Sequence, residues 1–315
     1  MTDNILISGI NGFVGTNLSK YLLNKKYNLY GLGRNSTQTN GIVDFIWENL
    51  ERIKESQIEV IIHLAGKAHD LKNTSKETDY FAVNTELTRR LFDVFLNSAV
   101  KDFIYFSSVK AVADTVDEIL SEIIIANPQT PYGRSKQQAE EYLLSKQLAV
   151  GKRLFIIRPC IIHGPGNKGN LNLLYKLVVK GIPYPLAAFD NRRSLLSVSN
   201  LCYSIERLIL NKNIPGGIYN LADDEPLSTN MIIEIISETI GTKPKFWRIS
   251  PKLISAMARW GDNLNLPLNS ERLKKLTENY IVSNKKIKMA LDINSLPISS
   301  KDGLITTIKS FGSKV

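Results

Sequence analysis

Short apolar runs alternate along the first half of the chain with longer stretches in which apolar residues recur every three or four positions. Short runs are typical of buried strands, and the longer period is typical of amphipathic helices. Their alternation predicts βαβ units and a parallel sheet. The predicted strands are Ile5–Ser8, Leu29–Leu32, Val43–Trp47, Val60–Leu64, Phe103–Ser107 and Leu154–Ile157, and the predicted helices are Val14–Asn24, 84–98 and 132–149.

The pattern changes after Pro159, because glycine and proline crowd the segment 164–185 and loops replace the regular alternation. We therefore predict two domains. Residues 1–165 form an α/β domain with a doubly wound parallel sheet of the Rossmann type, and residues 166–315 form mainly a smaller α/β domain that binds substrate. A later apolar run, Gly217–Leu221, is a candidate to return to the main sheet.

The composition excludes several classes of protein. Of 315 residues 43% are hydrophobic and 22% charged, which excludes disordered and collagen-like proteins. Two cysteines cannot form a disulfide framework, so we expect a reducing compartment. No secretory leader pattern opens the chain, and no apolar run reaches the roughly 20 residues of a membrane span. We expect a cytoplasmic protein whose net charge of +10 favours anionic partners.

The histidines and lysines suggest neither a metal nor a nucleic acid as partner. His63, His69 and His163 share no metal-ligand spacing, so no metal site is predicted. Because His63 lies inside an apolar strand, we expect it to be a core residue. The lysines are scattered without interleaved aromatic residues, and nucleic-acid recognition is therefore not expected.

A glycine pattern follows the first predicted strand and precedes the first predicted helix. Glycines at this place let the backbone approach a pyrophosphate, whose charge is favoured at the helix N-terminus. The alternative is a glycine-rich turn without a ligand. The residues predicted to bind a dinucleotide here are Gly9, Gly12, Phe13, Val14 and Gly15.

The end of the second strand selects the dinucleotide. An NAD site places a carboxylate there for the ribose hydroxyl, whereas an NADP site uses arginine for the 2′-phosphate. No Asp or Glu occurs between Asp3 and Asp44. We therefore predict NADP, with Arg34 as phosphate ligand assisted by Asn35 and Ser36. The alternative is NAD, with Arg34 as a surface residue.

A candidate acid/base lies at the start of the helix predicted for 132–149, where Pro131 favours the first helical position. A spacing of four places Tyr132 and Lys136 on one face, and a nearby ammonium is expected to lower the pKa of the phenol from about 10. Ser108 follows the fifth strand at the same sheet edge. The alternatives are an exposed tyrosine and a serine that caps the next turn.

The glycine turn, the strand-end serine and the Tyr-Gly-Arg-Ser-Lys string of 132–136 together resemble the extended short-chain dehydrogenase/reductase family of nucleotide-sugar epimerases, dehydratases and reductases, over nearly the whole chain. The resemblance implies that Ser108 binds the reacting sugar oxygen, that Tyr132 is the catalytic acid/base and that Lys136 binds the cofactor ribose. It also implies a homodimer. It further implies that Arg193 binds the sugar diphosphate and that Asn170 binds the nucleotide. Asn84 matches the asparagine that the family carries in the next helix. The remaining cofactor contacts that it implies are Leu64, Ala65, Gly66 and Pro159.

Departures from the family pattern reduce the number of reactions that we expect this chain to catalyse. Members that dehydrate a sugar carry an Asp-Glu pair after the strand-end hydroxyl, because elimination needs a second acid and base. Val109 and Lys110 stand there, so dehydration is disfavoured. Val112 and Ala113 replace the usual Tyr-Gly. The sequences Ser-Ser-Val-Lys, Tyr-Gly-Arg-Ser-Lys and Asn-Arg-Arg-Ser-Leu look most like those of bacterial reductases of UDP-linked 4-keto-6-deoxy-N-acetylhexosamines.

The cofactor prediction favours the same reaction, because a reductase consumes NADPH at each turnover whereas a 4-epimerase keeps one NAD. We predict C4 reduction of a UDP-sugar in polysaccharide assembly. The alternatives are a 4-epimerase of a UDP-linked or polyprenyl-linked hexose and a non-catalytic regulator on the same fold.

The segment Pro251–Trp260 predicts an amphipathic helix, with Leu253, Met257 and Trp260 at helical spacing. We expect this helix to pack on the C-terminal domain, without membrane contact. The alternative is a helix that lies on a membrane surface.

Overall fold

The structure, a computed structural model, describes residues 4–34, 42–68, 76–167, 169–264 and 269–312. Eleven strands and eleven helices occur in these ranges. The strands are β1 (Asn4–Ser8), β2 (Asn28–Gly33), β3 (Ile42–Ile46), β4 (Val60–His63), β5 (Asp102–Phe106), β6 (Ile119–Leu120), β7 (Arg153–Pro159), β8 (Ile161–His163), β9 (Leu195–Ser197), β10 (Gly217–Leu221) and β11 (Ile281–Val282). The helices are α1 (Phe13–Asn24), α2 (Glu77–Phe81), α3 (Leu87–Leu96), α4 (Pro131–Leu144), α5 (Asn170–Val179), α6 (Val198–Leu210), α7 (Thr229–Thr239), α8 (Pro251–Leu264), α9 (Ser270–Thr277), α10 (Lys285–Leu291) and α11 (Ser300–Gly312).

Seven parallel strands form the main sheet in the order β10-β7-β5-β4-β1-β2-β3. The strand order reverses beside β1, which pairs with β2 on one side and β4 on the other. Ligands of such sheets bind outside the carboxyl ends of the strands at this reversal. The α/β doubly wound sheet predicted from the sequence is confirmed, and several of the residues predicted to bind a ligand lie at the carboxyl ends of β1, β2, β4, β5 and β7.

The predicted strands are present, with ends that differ by one or two residues. The expected return of the late strand also occurs, because β10 pairs with β7 from Gly217 opposite Phe155 onward. The helix predicted from residue 84 begins earlier, at Glu77, and a π-helical turn over Ala82–Glu86 joins α2 to α3. Since α2 contains no buried residue, it leaves no apolar period in the sequence from which it could be predicted.

Alternate strand residues face opposite sides of the sheet, and each side has its own core. Ile5 lies in one core with Leu18 of α1 and Ile205 of α6. Leu6, its neighbour in β1, lies in the other core with Phe92 of α3. All of these side chains are fully buried. Helices therefore cover both faces of the sheet, which leaves its carboxyl edge for the site.

A third core joins α5, α7, α8, α9 and α11, and Ile233, Ile236 and Leu304 are among its most buried members. These helices belong to the predicted C-terminal domain. Residues 198–221 of that half, however, supply α6 and β10 to the main sheet and its first core. The division at residues 165 and 166 stays a prediction.

None of the helices in the described ranges is long and apolar enough to span a bilayer. Within the same ranges, His, Cys, Asp and Glu side chains nowhere gather in threes at metal-binding distance. The homodimer expected from the family resemblance stays a prediction.

Candidate active site

The glycine turn after β1 brings two backbone segments closer than a side chain would allow. Gly9 has a φ of +72°, and a Cβ there would lie 2.7 Å from the backbone nitrogen of Ala65. A Cβ on Gly15 would lie 2.4 Å from the carbonyl oxygen of Gly9. The two glycines therefore let the turn after β1 contact both the turn after β4 and the start of α1.

The N-terminus of α1 has the properties of an anion site. Phe13 and Val14 are its first residues, and Gly12 is its N-cap, without a side-chain cap hydrogen bond. The first turn contains no acidic residue. Uncapped backbone N–H groups and the helix dipole favour a phosphate group at this end. The turn thus fits the pyrophosphate of a dinucleotide.

A buried hydrogen-bond chain orients the turn after β4. The Leu64 nitrogen donates to the Ser8 carbonyl at 3.1 Å, and the Ala65 nitrogen donates to Ser8 Oγ at 3.2 Å. Ser8 Oγ also shares a hydrogen bond of 2.5 Å with His63 Nδ1, while His63 Nε2 lies 2.8 Å from Thr88 Oγ1. Burial lowers the pKa of His63 to about 3. His63 is therefore a neutral core residue, as expected from the sequence.

The next residue of this turn meets α4. A Cβ on Gly66 would lie 3.1 Å from Asn84 Oδ1 and 3.2 Å from Lys136 Nζ. Asn84 Oδ1 accepts from the Lys67 nitrogen at 2.7 Å, and its amide donates to Ser135 Oγ at 2.9 Å. Asn84 lies in the π-helical turn, a type of distortion frequent at functional sites. The fourth-strand turn, the π turn and Lys136 therefore form one contact group.

The start of α4 is capped as the sequence predicts. Pro131 is the first helical residue, and Thr130 Oγ1 accepts a hydrogen bond of 3.2 Å from the Gly133 nitrogen. A Cβ on Gly133 would lie 2.4 Å from the Lys110 carbonyl oxygen. Gly133 thus permits the close approach of α4 to the 3-10 turn that follows Ser108. The sequence analysis did not predict this role, although Gly133 lies within the Tyr-Gly-Arg-Ser-Lys sequence of 132–136.

This approach brings together Ser108 and Tyr132. Burial raises the pKa of Tyr132, and a hydrogen bond from Ser108 lowers it in part. The Ser108 hydroxyl oxygen also accepts from the Lys110 nitrogen at 3.1 Å. The tyrosine is therefore held as a protonated phenol beside a second hydroxyl.

Lys136 lies in the same buried group, but its ammonium is engaged elsewhere. Nζ donates to the Phe106 carbonyl oxygen at 2.8 Å and lies 4.8 Å from the centre of the Tyr105 ring. Burial lowers the pKa of Lys136 to about 8, and Glu140 opposes this shift. Burial is the largest influence on the pKa of Tyr132, and the expectation that the Lys136 ammonium lowers this pKa stays a prediction.

A buried ion pair lies beneath the site and was not anticipated from the sequence. Arg158 Nε donates to Glu140 Oε1 at 3.0 Å, and Ser107 Oγ donates to the same carboxylate oxygen. Glu140 follows Lys136 by four residues on α4, so the spacing that pairs Tyr132 with Lys136 could have signalled it. The pair joins α4 to the ends of β5 and β7.

The C-terminal half contacts this loop through Tyr280. Its hydroxyl donates to the Ala113 carbonyl at 2.7 Å, and its ring lies 4.1 Å from Lys110 Nζ. Nζ also donates to the Asp114 carbonyl at 2.6 Å. The lysine that stands where dehydratases carry an acid is therefore held against Tyr280 and the backbone.

Arg193 belongs to the same half and forms backbone bridges with Leu227 and Tyr280. Its Nε donates to the Glu278 carbonyl at 3.3 Å, and its side chain is 21% exposed. Burial lowers the pKa of Arg193, and Glu278 opposes this. Tyr280 thus connects Arg193 to the loop that follows Ser108. Asn170 is exposed as the first residue of α5 and is not part of this connection.

The remaining predicted residues lie at strand ends. Arg34 is exposed directly after β2. Pro159 is the buried last residue of β7 and pairs with Leu221. Asn35 and Ser36 lie outside the described residues, as does His69.

Comparison with known proteins agrees with this architecture. A model of the NAD dependent epimerase/dehydratase family matches residues 5–222. The UDP-glucose 4-epimerase of Vibrio cholerae is 32% identical over 240 residues, which cover 73% of each chain. The N-acetyl-alpha-D-glucosaminyl-diphospho-ditrans,octacis-undecaprenol 4-epimerase of Escherichia coli O157:H7 is 28% identical over 77% of this chain and 74% of its own. The Bordetella bronchiseptica enzyme WbmG, solved with NAD and UDP, shares the fold with a TM-score of 0.78 at 17% identity, covering 100% of this chain and 96% of that one.

Replacing Gly133 by alanine is expected to destabilise the protein by about 1–3 kcal/mol, because the new Cβ would overlap a backbone oxygen that cannot move independently. Urea unfolding measures the change. The matched control is Gly312→Ala, where the Cβ would lie 3.8 Å from the Tyr175 hydroxyl. Equal stability of both variants would contradict the close approach.

The buried His63 predicts a pH dependence. The pKa falls from 6.5 to about 3 on folding, so the unfolded chain binds the extra proton between these values. The contribution of neutral His63 to the free energy of unfolding is therefore fully present above pH 6.5. It is lost as the pH falls towards 3, by about 1.4 kcal/mol per pH unit. Urea unfolding of wild type and His63→Gln between pH 6.5 and 5 checks this. The variant should show a flatter dependence, and parallel curves would refute the assignment.

Proposed function

This chain belongs to the NAD dependent epimerase/dehydratase family, and on that premise we propose that it reduces the C4 keto group of a UDP-linked 6-deoxy-N-acetylhexosamine with NADPH, in surface polysaccharide biosynthesis. The observation that carries the proposal is the end of β2, where an exposed arginine, Arg34, follows Gly33 and the sequence contains no carboxylate before Asp44. Residues 4–43 contain no Asp or Glu at all.

A cofactor phosphate distinguishes NADPH from NADH, and the protein can recognise it by charge. A guanidinium binds a phosphate through two charge-assisted hydrogen bonds, whereas a carboxylate at this position would repel it. NADPH suits a reductase, because the reduced cofactor is consumed at each turnover. A 4-epimerase regains its own cofactor and has no need of this selection.

The site residues have the roles that a reductase requires. The turn of Gly9, Gly12 and Gly15 and the N-terminus of α1 would hold the cofactor pyrophosphate. Lys136 Nζ, next to Gly66, would reach the cofactor ribose. The nicotinamide supplies the hydride when bound.

Tyr132 would donate the proton that the reduction requires in addition to the hydride. As hydride reaches C4, the carbonyl oxygen becomes an alkoxide, and the phenol donates its proton to it. The raised pKa of Tyr132 keeps the phenol protonated at neutral pH, which is the state that reduction needs. Ser108 would hold the same oxygen by a hydrogen bond as its charge develops.

The second candidate function is a 4-epimerase, favoured by the similarity to the Vibrio cholerae and Escherichia coli enzymes. It would act on a UDP-linked or polyprenyl-linked hexose with tightly bound NAD. The same Ser108, Tyr132 and Lys136 would serve, but Tyr132 would first have to accept a proton from the sugar hydroxyl.

Purified protein incubated with UDP-4-keto-6-deoxy-GlcNAc and NADPH should consume the cofactor in proportion to the sugar, followed by absorbance. Tyr132→Phe should lower the rate by about 10²-fold or more, because the proton donor is lost. Tyr142→Phe is the matched control on the same helix, since its hydroxyl contacts Asp93 at an exposed position.

A parallel sample of UDP-GlcNAc or UDP-glucose tests the second candidate. Interconversion with the C4 epimer, without NADPH loss on the keto sugar, would overturn the reductase proposal and establish an epimerase.

Arg34→Glu should raise the KM for NADPH by about 10-fold or more with little change in the KM for NADH, because a charged hydrogen-bond partner is replaced by a repelling charge. Steady-state kinetics with both cofactors measure this. Lys101→Glu, an exposed charge reversal beside the amino end of β5, is the control. An unchanged KM for NADPH in Arg34→Glu would remove the basis for NADP selection.

A further inference from the structure

Helix α8 has two apolar sides, of which the fold covers one. Ile254 and Ala258 are 3% and 0% exposed and pack in the C-terminal core. Leu253, Met257 and Trp260 are 56%, 53% and 72% exposed. Their spacing of four and three residues aligns them along one side of the helix. The sequence expectation that α8 packs on the C-terminal half accounts for the first side alone.

A further exposed aromatic residue precedes the helix in the chain. Trp247 is 57% exposed, and its backbone nitrogen donates to the Tyr184 carbonyl at 2.9 Å, which fixes the segment to the C-terminal core. We call Trp247, Leu253, Met257 and Trp260 the apolar stripe. Single exposed apolar residues are ordinary, but three along one side of a helix, with a second exposed tryptophan shortly before it in the chain, mark an interaction surface.

Every charged residue between positions 239 and 261 is basic. The chain from 239 to 261 contains five basic residues and no acidic one. Each of the five is exposed. The basic residues are Lys243, Lys245, Arg248, Lys252 and Arg259. The segment that carries the apolar stripe is therefore positively charged and attracts a negatively charged partner.

We propose that the apolar stripe and its five cations dock this protein on the surface of an anionic lipid bilayer, with α8 lying in the plane of the interface. A helix with tryptophan, leucine and methionine on one side and lysine and arginine beside them inserts its apolar side at the headgroup boundary. Each cation near an anionic leaflet adds about five-fold to the partition. The inference is independent of the proposed function.

A second copy of this chain is a poorer partner for the same surface. A two-fold interface uses the same surface patch on both copies and would bring ten positive charges into one contact region, which is unfavourable. An anionic bilayer meets both requirements, because it accepts the apolar side chains and neutralises the charges.

The location of the apolar stripe relates it to the candidate active site. α8 shares a core with α9 through Ala258 and Leu273. The Leu276 carbonyl of α9 accepts from Asn191 Nδ2 at 3.1 Å, two residues before Arg193 in the chain. Helix α8 is therefore connected through α9 to the segment that carries Arg193.

Sedimentation with vesicles of phosphatidylglycerol and phosphatidylcholine tests the proposal, with pure phosphatidylcholine vesicles as comparison. The full chain should sediment with the anionic vesicles at low salt and be released at about 0.5 M salt, where charges are screened. Tryptophan fluorescence gives a second readout. Of the three tryptophans, Trp47 is 7% exposed, so a blue shift and quenching by brominated lipid would report Trp247 and Trp260.

Two pairs of variants locate the surface. Met257→Glu should weaken vesicle binding by about ten-fold or more, whereas Met289→Glu, the same change at a methionine that is 80% exposed on α10, should leave it unchanged. Lys252→Glu should weaken binding by at least about five-fold, and Lys20→Glu on α1 should not.

Failure to sediment with anionic vesicles, or equal loss in Met257→Glu and Met289→Glu, would overturn the proposal. Size-exclusion chromatography tests whether a second copy of this chain binds the apolar stripe instead. A dimer that Met257→Glu dissociates, without vesicle binding by the wild type, would assign the stripe to a contact between copies. None of these readouts requires enzymatic activity, so their outcome is separate from that of the cofactor assays.

Discussion

The site depends on backbone segments that approach more closely than any side chain larger than hydrogen permits. Gly9 lies against the turn that carries Ala65, and Gly133 lies against the Lys110 carbonyl. The first contact joins the two turns on either side of the strand-order reversal, and the second brings Tyr132 to Ser108. Because backbone oxygens cannot rotate away as side chains do, these contacts determine where the reacting groups stand.

Burial then determines the protonation state of these groups. The pKa of Tyr132 is raised and that of Lys136 is lowered to about 8, since removal from water disfavours the charged form of each. The Glu140 carboxylate, buried against Arg158, opposes the lowering of the Lys136 pKa. A protonated phenol beside a serine hydroxyl is the arrangement that a reductase needs at the start of its reaction.

The two proposals divide the molecule in a physically consistent way. In the first, the parallel sheet would supply the turn that binds the dinucleotide and the acid, next to Tyr280 and Arg193 of the C-terminal half. In the second, the C-terminal half supplies the exposed apolar side of α8. The positive charge of the chain is thus distributed over places where anions are expected. One is the cofactor phosphate near Arg34, and another is the segment that carries the apolar stripe.

The sequence by itself determined the strands and the glycine turn, and it predicted Ser108, Tyr132 and Lys136 as a candidate set, because each depends on local period or spacing. It also predicted the family, which the comparisons confirmed. Only the tertiary structure decided that Tyr280 contacts Ala113, that burial raises the pKa of Tyr132 and that one apolar side of α8 stays exposed. The reason is that such contacts join residues far apart in the chain, and burial is a property of the packed molecule that no local pattern contains.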